Sequence, residues 1–201
     1  KNKKTYLPES FIPGFIDLVV WGHEHECFTE PVYNSEVGFH IYQPGSSVAT
    51  SLIQAESKTK HMGLCEIKGD SFRILPVKLN TIRPFIYDQF ELKQLADQIQ
   101  GNDDIERIIE QRIEKALQEV EDGRNSDPKI FNNLLPIIRI KIEYSGYAMV
   151  RTNFLIGKYS GKVANLNDMI QFWKKGDLFS VKRNKDGGNL DGEEADGDED
   201  M

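Results

Sequence analysis

The spacing of apolar positions changes character along this chain. From Phe15 to Trp21 they run almost without a break, interrupted only by Asp17. That pattern predicts a strand buried on both faces beneath helices. Phe39, Ile41 and Gln43 then alternate with His40 and Tyr42, a second strand within Val37 to Gln43. Met62 to Ile67 and Ser71 to Leu75 flank Lys68-Gly69-Asp70 and predict a hairpin, with Pro76 to Arg83 continuing extended. Beyond Arg83 the period lengthens. Ile105, Ile108, Ile109, Ile113, Ala116, Leu117 and Val120 recur at helical spacing, leaving Arg107, Gln111, Arg112, Lys115 and Glu119 outside. Asp103 and Asp104 supply an acidic start to this helix and Gly123 its predicted end. Arg124 to Pro136 reads as a polar loop, and Ile137 to Tyr144 as a strand with one wet face. Further strands are predicted over Arg151 to Ile156 and Ser160 to Val163, and a short helix over Asp168 to Lys175. The pattern thus changes beyond Arg83 and is lost from Gly176 onward.

Charge sharpens that division. The 201 residues carry a net −7, but residues 186–201 hold eight acids and no base. Without them the rest stands at +1, so the folded part is near neutral and the acidity belongs to a tail too polar to order itself. Lys182, Arg183 and Lys185 form a small basic patch just before it. No apolar run approaches the ~20 residues that span a bilayer. The N-terminus is basic but leads into proline and glutamate, unlike a signal peptide, and the lack of an initiating Met suggests a start inside a longer protein. Cys27 and Cys65 lack CxxC spacing and are expected to be reduced thiols; Cys27, two residues from His25, could be a thiolate ligand, but a packed thiol is the preferred reading.

The chemistry concentrates after the first strand, in Gly22-His23-Glu24-His25-Glu26-Cys27. Two histidines separated by one residue can aim two imidazoles from one loop into a small volume, as a transition-metal site requires. A loop beyond the carboxyl end of a strand is where open α/β sheets bind ligands. Two nearby histidines are more often surface or hydrogen-bonding residues, so the strand-to-loop setting carries the argument. The small residues of Gln43-Pro44-Gly45-Ser46-Ser47 would let backbone approach such a site, although a turn into a strand is the plainer reading. Ser46 and Ser47 are not nucleophile candidates, since no base is expected near them. Lys58, Lys60 and His61 form a basic cluster that could touch a nucleic-acid backbone or could simply be solvated.

The stretch Asp17 to Cys27 resembles the last metal motif of the calcineurin-like metallophosphoesterases. In detail it resembles the meiotic recombination eleven family of double-strand-break repair nucleases, whose eukaryotic members carry Gly-His-Glu-His-Glu-Cys. Gln43 to Ser47, Thr81 to Phe85, Val163-Ala164-Asn165 and Ile170 to Trp173 extend the likeness over roughly residues 5 to 175. Thr81 to Phe85 resembles the family's exit from the phosphoesterase domain, which implies a boundary near Arg83 and a division into residues 1–83, 84–176 and a tail at 177–201. The resemblance implies an α/β (α+β) fold: the carboxyl-terminal portion of a four-layer metallophosphoesterase sandwich, followed by a small α+β DNA-binding capping domain. It implies two Mn2+ ions, with His23 and His25 each ligating one and Glu24 outside the ligand set. It also implies 3'-5' exonuclease and single-strand endonuclease chemistry in double-strand-break repair and meiotic recombination, in the nucleus. Lys58, Lys60, Arg139, Lys158 and Lys162 would contact DNA. The implied partners are DNA, a coiled-coil ATPase of the structural-maintenance-of-chromosomes type, a forkhead-associated adaptor and a second copy of the nuclease. The family's Asp-x-His, Gly-Asp, Asn-His and remaining histidine motifs have no counterpart here, so the chain alone is expected to be inactive. The alternatives are a general metallophosphoesterase and a non-catalytic DNA- or protein-binding module; motifs upstream of Lys1 would separate them.

Overall fold

The computed structural model describes residues 7–126 and 134–175. The basic patch and acidic tail lie outside these residues. Among the described residues, strands form three separate sheets. The first contains β1 (Leu18–Val20), β2 (Val32–Asn34) and β3 (Phe39–Tyr42), with β3 in the middle. β3 pairs antiparallel with β2 and parallel with β1, in the register Leu18 to His40 and Val20 to Tyr42. The parallel pairing brings the carboxyl ends of β1 and β3 to the same edge. β2 was not foreseen from the sequence; it forms a short hairpin with β3 through a turn in which the Glu36 amide donates to Asn34 Oδ1 at 2.9 Å.

β1 departs from expectation. It is three residues long, no helix among the described residues covers it, and Val20 is 57% exposed. The apolar run is therefore partly open to solvent rather than enclosed between helices. Beside it an apolar cleft of about 350 Å³ is lined by Leu18, Val20, Tyr42, Met62, Ile74 and Leu79.

The predicted hairpin is present and longer than expected. β4 (His61–Lys68) and β5 (Ser71–Lys78) pair antiparallel from His61 opposite Lys78 to Lys68 opposite Ser71. Gly69, with φ 58°, occupies the first position of the two-residue loop, where a side chain would be strained.

The third sheet holds the main core. β6 (Phe85–Glu91), β7 (Ile137–Glu143) and β8 (Ile170–Trp173) lie side by side and all parallel. Parallel neighbours need crossovers. The first includes α1 (Asn102–Ser126), the second α2 (Asn153–Lys158) and a 3-10 turn at Leu166–Asp168. Ile105, Ile108, Ile109, Ile113, Ala116 and Val120 of α1 are buried against Ile138, Ile140 and Ile142 of β7, as the two periodicities require. Arg112, expected to point outward, instead reaches β6, where its guanidinium donates to Asp88 at 3.0 Å and lies 4.6 Å from the Phe90 ring centroid. The start of α1 is fixed by Asp104, whose Oδ2 accepts from the amides of Gln100 (2.8 Å) and Gly101 (3.2 Å). This is the reaching-back half of a capping box. These two amides, the first above all, hold the Asp104 carboxyl below its usual range. Gly123 does not end the helix, which continues to Ser126.

Three carboxyl-terminal elements differ from the sequence expectation. Residues 151–156 do not form a strand; Leu155 and Tyr159, one helical turn apart, are buried and α2 forms around them. Residues 160–163 form a turn, with Gly161 at φ 76°. Ile170 to Trp173 is a strand rather than a helix. Its register beside β7 supplies inter-strand partners that so short a segment could not replace with internal helical bonds. Ahead of β8, Asn165 acts as a substitute strand: its Nδ2 donates to Ile138 O at 2.9 Å and its Oδ1 accepts from Ile138 N at 3.0 Å. Replacing Asn165 with Ala removes both partners from a core strand. The expected cost is about 1–3 kcal/mol, measured by urea denaturation of the chain; unchanged stability would show that water substitutes for the amide.

Candidate metal centre

The histidine loop leaves β1 and returns under the end of β3. Its backbone is tied at both ends: Trp21 N donates to Tyr42 O and Phe28 N to Gln43 O, each at 2.9 Å. Gln43 Nε2 donates to Glu26 O at 3.1 Å in between. Gly45, at φ 67°, presses against the same loop; a Cβ there would meet Glu26 O at 2.8 Å and Cys27 N at 2.9 Å. The Gln-Pro-Gly-Ser-Ser segment therefore does approach the histidine loop through backbone. Cys27 is buried, as expected of a packed thiol.

His23 has φ 61°, the one non-glycine in the left-handed region among the described residues. Such backbone costs about 1–3 kcal/mol and persists where surroundings hold it, commonly at functional loops. His25 is anchored differently. Its Nδ1 donates to Glu56 Oε1 at 2.7 Å, while the side chain remains 47% exposed. Glu56, in the 3-10 segment Gln54–Ser57, has a side chain with 0% exposure. Thr50 Oγ1 donates to the same Oε1 at 2.6 Å, and Ser46 Oγ donates to Oε2 at 2.6 Å. Lys60 Nζ donates to Oε2 and, at 3.0 Å, to Ser46 Oγ. Burial would raise the Glu56 carboxyl, but these donors, Lys60 first, outweigh it and hold the pKa at about 2.

This hub answers several expectations. Lys60, expected to touch DNA, is 2% exposed and closed over by Glu56 and Ser46, so it cannot reach a phosphate. Ser46 does have ionisable neighbours, contrary to expectation, but its hydroxyl proton goes to Glu56 and its oxygen accepts from Lys60. Lys58 is exposed and pairs with Glu26. Arg139 bonds to Asp168 O at 2.6 Å and to Gln171 Oε1, bracing β7 against β8. Lys158 and Lys162 are exposed and share one support: their ammonium groups lie 5.9 and 5.7 Å from the Tyr159 ring centroid. Lys158 also pairs with Glu110. Glu56 and Thr50 were not singled out from the sequence. The one available signal was the Glu56–Lys60 spacing of four residues, which ordinarily reads as a solvated helix pair.

An imidazole whose Nδ1 hydrogen is held by a carboxylate presents Nε2 as a lone pair, the form in which histidine ligates metals. The residues present thus fit a metal ligand at His25. Among the described residues no three His, Cys, Asp or Glu side chains form a group that could hold a metal ion.

The family described as the Mre11 DNA-binding presumed domain matches residues 72–200. The chain belongs to the Mre11 family. It is 41% identical over 199 residues to double-strand break repair protein MRE11 of Arabidopsis thaliana, covering 96% of this chain and 26% of that protein. It is 42% identical over 200 residues to MRE11 of Oryza sativa subsp. japonica, covering 96% and 27%. Against MRE11 of Homo sapiens the figures are 35% over 182 residues, 85% and 25%. The chain thus spans about a quarter of the curated relatives it matches.

The Gly45 contact makes a direct prediction. Gly45→Ala adds a Cβ against Glu26 O in strained backbone and should cost about 2–5 kcal/mol. Thermal denaturation measures the loss, and an unchanged midpoint would mean the loop yields freely.

Proposed function

We propose that this chain is the carboxyl part of a manganese-dependent nuclease domain, up to about residue 83, with a DNA-binding capping domain over 84–176. The observation that carries the reading is the His25 side chain, held by its Nδ1 in a loop where two parallel strands end together. His23 and His25 would each bind one of two Mn2+ ions, the remaining ligands coming from parts of a longer protein. Bound metals of this kind lower the pKa of water and clamp a phosphodiester, the chemistry of DNA cleavage. The exposed Val20 of β1 and the apolar cleft beside it support the idea that further layers of such a domain pack here.

The match to a DNA-binding domain and to double-strand break repair proteins supports double-strand DNA breaks as the setting; the nucleus as the compartment and a role in meiotic recombination rest on the resemblance alone. No described helix is long and apolar enough to cross a membrane. Lys58, Lys158 and Lys162 have exposed side chains, the first two ion-paired at the surface with Glu26 and Glu110, and are the proposed phosphate contacts; Lys60 is not among them. The coiled-coil ATPase, the forkhead-associated adaptor and the second nuclease copy rest on the resemblance alone.

The test uses the full-length protein. His23→Ala and His25→Ala should each reduce Mn2+-dependent cleavage by about two orders of magnitude or more, leaving duplex binding unchanged and steeply salt-dependent. Gel-based cleavage and fluorescence anisotropy read the two properties separately. Normal cleavage by both variants would exclude the metal role and favour a non-catalytic binding module.

A further inference from the structure

The metal reading leaves Glu56 without a role, although it is an acid beside a candidate ligand. Resting on that reading, we propose that Glu56 is a positioning residue: it holds His25 by Nδ1 so that Nε2 is the atom offered to a divalent cation, and it is not itself a ligand.

The donor inventory carries the distinction. Oε1 accepts from His25 Nδ1 (2.7 Å) and Thr50 Oγ1 (2.6 Å), with Thr50 N at 3.4 Å. Oε2 accepts from Ser46 Oγ (2.6 Å) and Lys60 Nζ. A carboxylate has about four lone-pair sites, and here they face donors within this chain. A cation at Oε2 would have to displace the buried Lys60 ammonium, which is costly, and one at Oε1 would have to displace His25 Nδ1 itself. Glu56 is therefore behind the imidazole, with its charge balanced by Lys60, and His25 runs from the closed hub to the surface. Thr50 reinforces the direction: its hydroxyl donates to Oε1 and stands 3.3 Å from Nδ1, so the ring edge nearest the hub meets acceptors on both contacts. Carboxylates that orient metal-bound histidines in this way fix the tautomer and raise the basicity of the ligating nitrogen.

Two measurements on the full-length protein test the assignment. In 15N-histidine-labelled protein without metal, long-range proton–nitrogen spectra report which ring nitrogen of His25 carries hydrogen, its signals assigned by their loss in His25→Ala. The expected pattern is Nδ1 protonated and Nε2 bare; a hydrogen on Nε2 alone overturns the proposal without any variant. Electron paramagnetic resonance then follows Mn2+ binding in the double variant Glu56→Gln/Lys60→Met, which removes the pair together and strands neither charge. Affinity at the His25 site should fall about 10–100-fold, with the thermal midpoint confirming that the variant is folded. Unchanged Mn2+ affinity in a folded variant overturns the positioning role and leaves the metal reading standing. A wild-type protein that binds no Mn2+ overturns both.

Discussion

A carboxylate taken out of water must have its charge and lone pairs answered, and at Glu56 that requirement organises the amino-terminal half of the chain. The groups that answer it come from the loop after β1 (His25), the loop after β3 (Ser46 and Thr50) and the segment entering β4 (Lys60). Lys60 also meets Ser46 and Thr50 also meets His25, and the carboxylate joins the two pairs. Removing one partner from such a buried pair leaves a charge that low-dielectric surroundings penalise heavily. The hub therefore specifies an arrangement more than it adds net stability. Two loops that the β1–β3 pairing brings to one edge are locked together there, with Gly45 allowing the backbone contact that closes them.

The carboxyl-terminal half uses a different economy of forces. Its order comes first from an aliphatic core between α1 and β7, which is non-directional. Polar groups then settle register where apolar packing cannot. Asn165 occupies the ladder position ahead of β8, Asp104 satisfies two amides before α1, and Arg112 binds Asp88 across the helix–sheet gap. Arg139 joins β7 to the β8 region in the same way. Basic residues in this half therefore divide by geometry. Those under or between strands are structural, and those on α2 and the turn after it, Lys158 and Lys162, remain outward on Tyr159.

Local periodicity made the third sheet's central features legible. The helix spacing from Ile105 to Val120 and the alternation of β7 each encode a face, and the two faces meet. The hairpin was equally plain, because Gly69 and Asp70 sit between two apolar runs. The carboxyl-terminal elements misled because they are short. Six residues with Phe, Leu and Ile read as a strand until Leu155 and Tyr159 are seen to share one turn, and four residues of β8 take their identity from a neighbour far away in sequence. At the candidate site the histidines were legible as types in a motif, whereas Glu56 was not. Its meaning depends on burial, and burial there follows from three loops converging rather than from any local pattern. Lys60 shows the same failure from the other side: in sequence it is one more lysine in a basic run, and in the fold it is a counter-ion.

On the proposed reading, that convergence bears on how a site divided between this chain and other parts of a protein could assemble. A histidine free to rotate would lose side-chain entropy when it bound metal, and its ring would have to be captured in one of two tautomers. His25 has met both costs within this chain, since Glu56 holds Nδ1 and leaves Nε2 outside that bond on a half-exposed ring. The left-handed backbone of His23, stored in a loop tied at Trp21 and Phe28, has the same character: strain is held by the scaffold in advance of any ligand. A metal arriving with ligands from elsewhere would thus meet a ligand already set in direction. Beyond the two imidazoles themselves, what this chain would contribute to catalysis is the advance orientation of His25, set by a buried carboxylate that stands behind the ring.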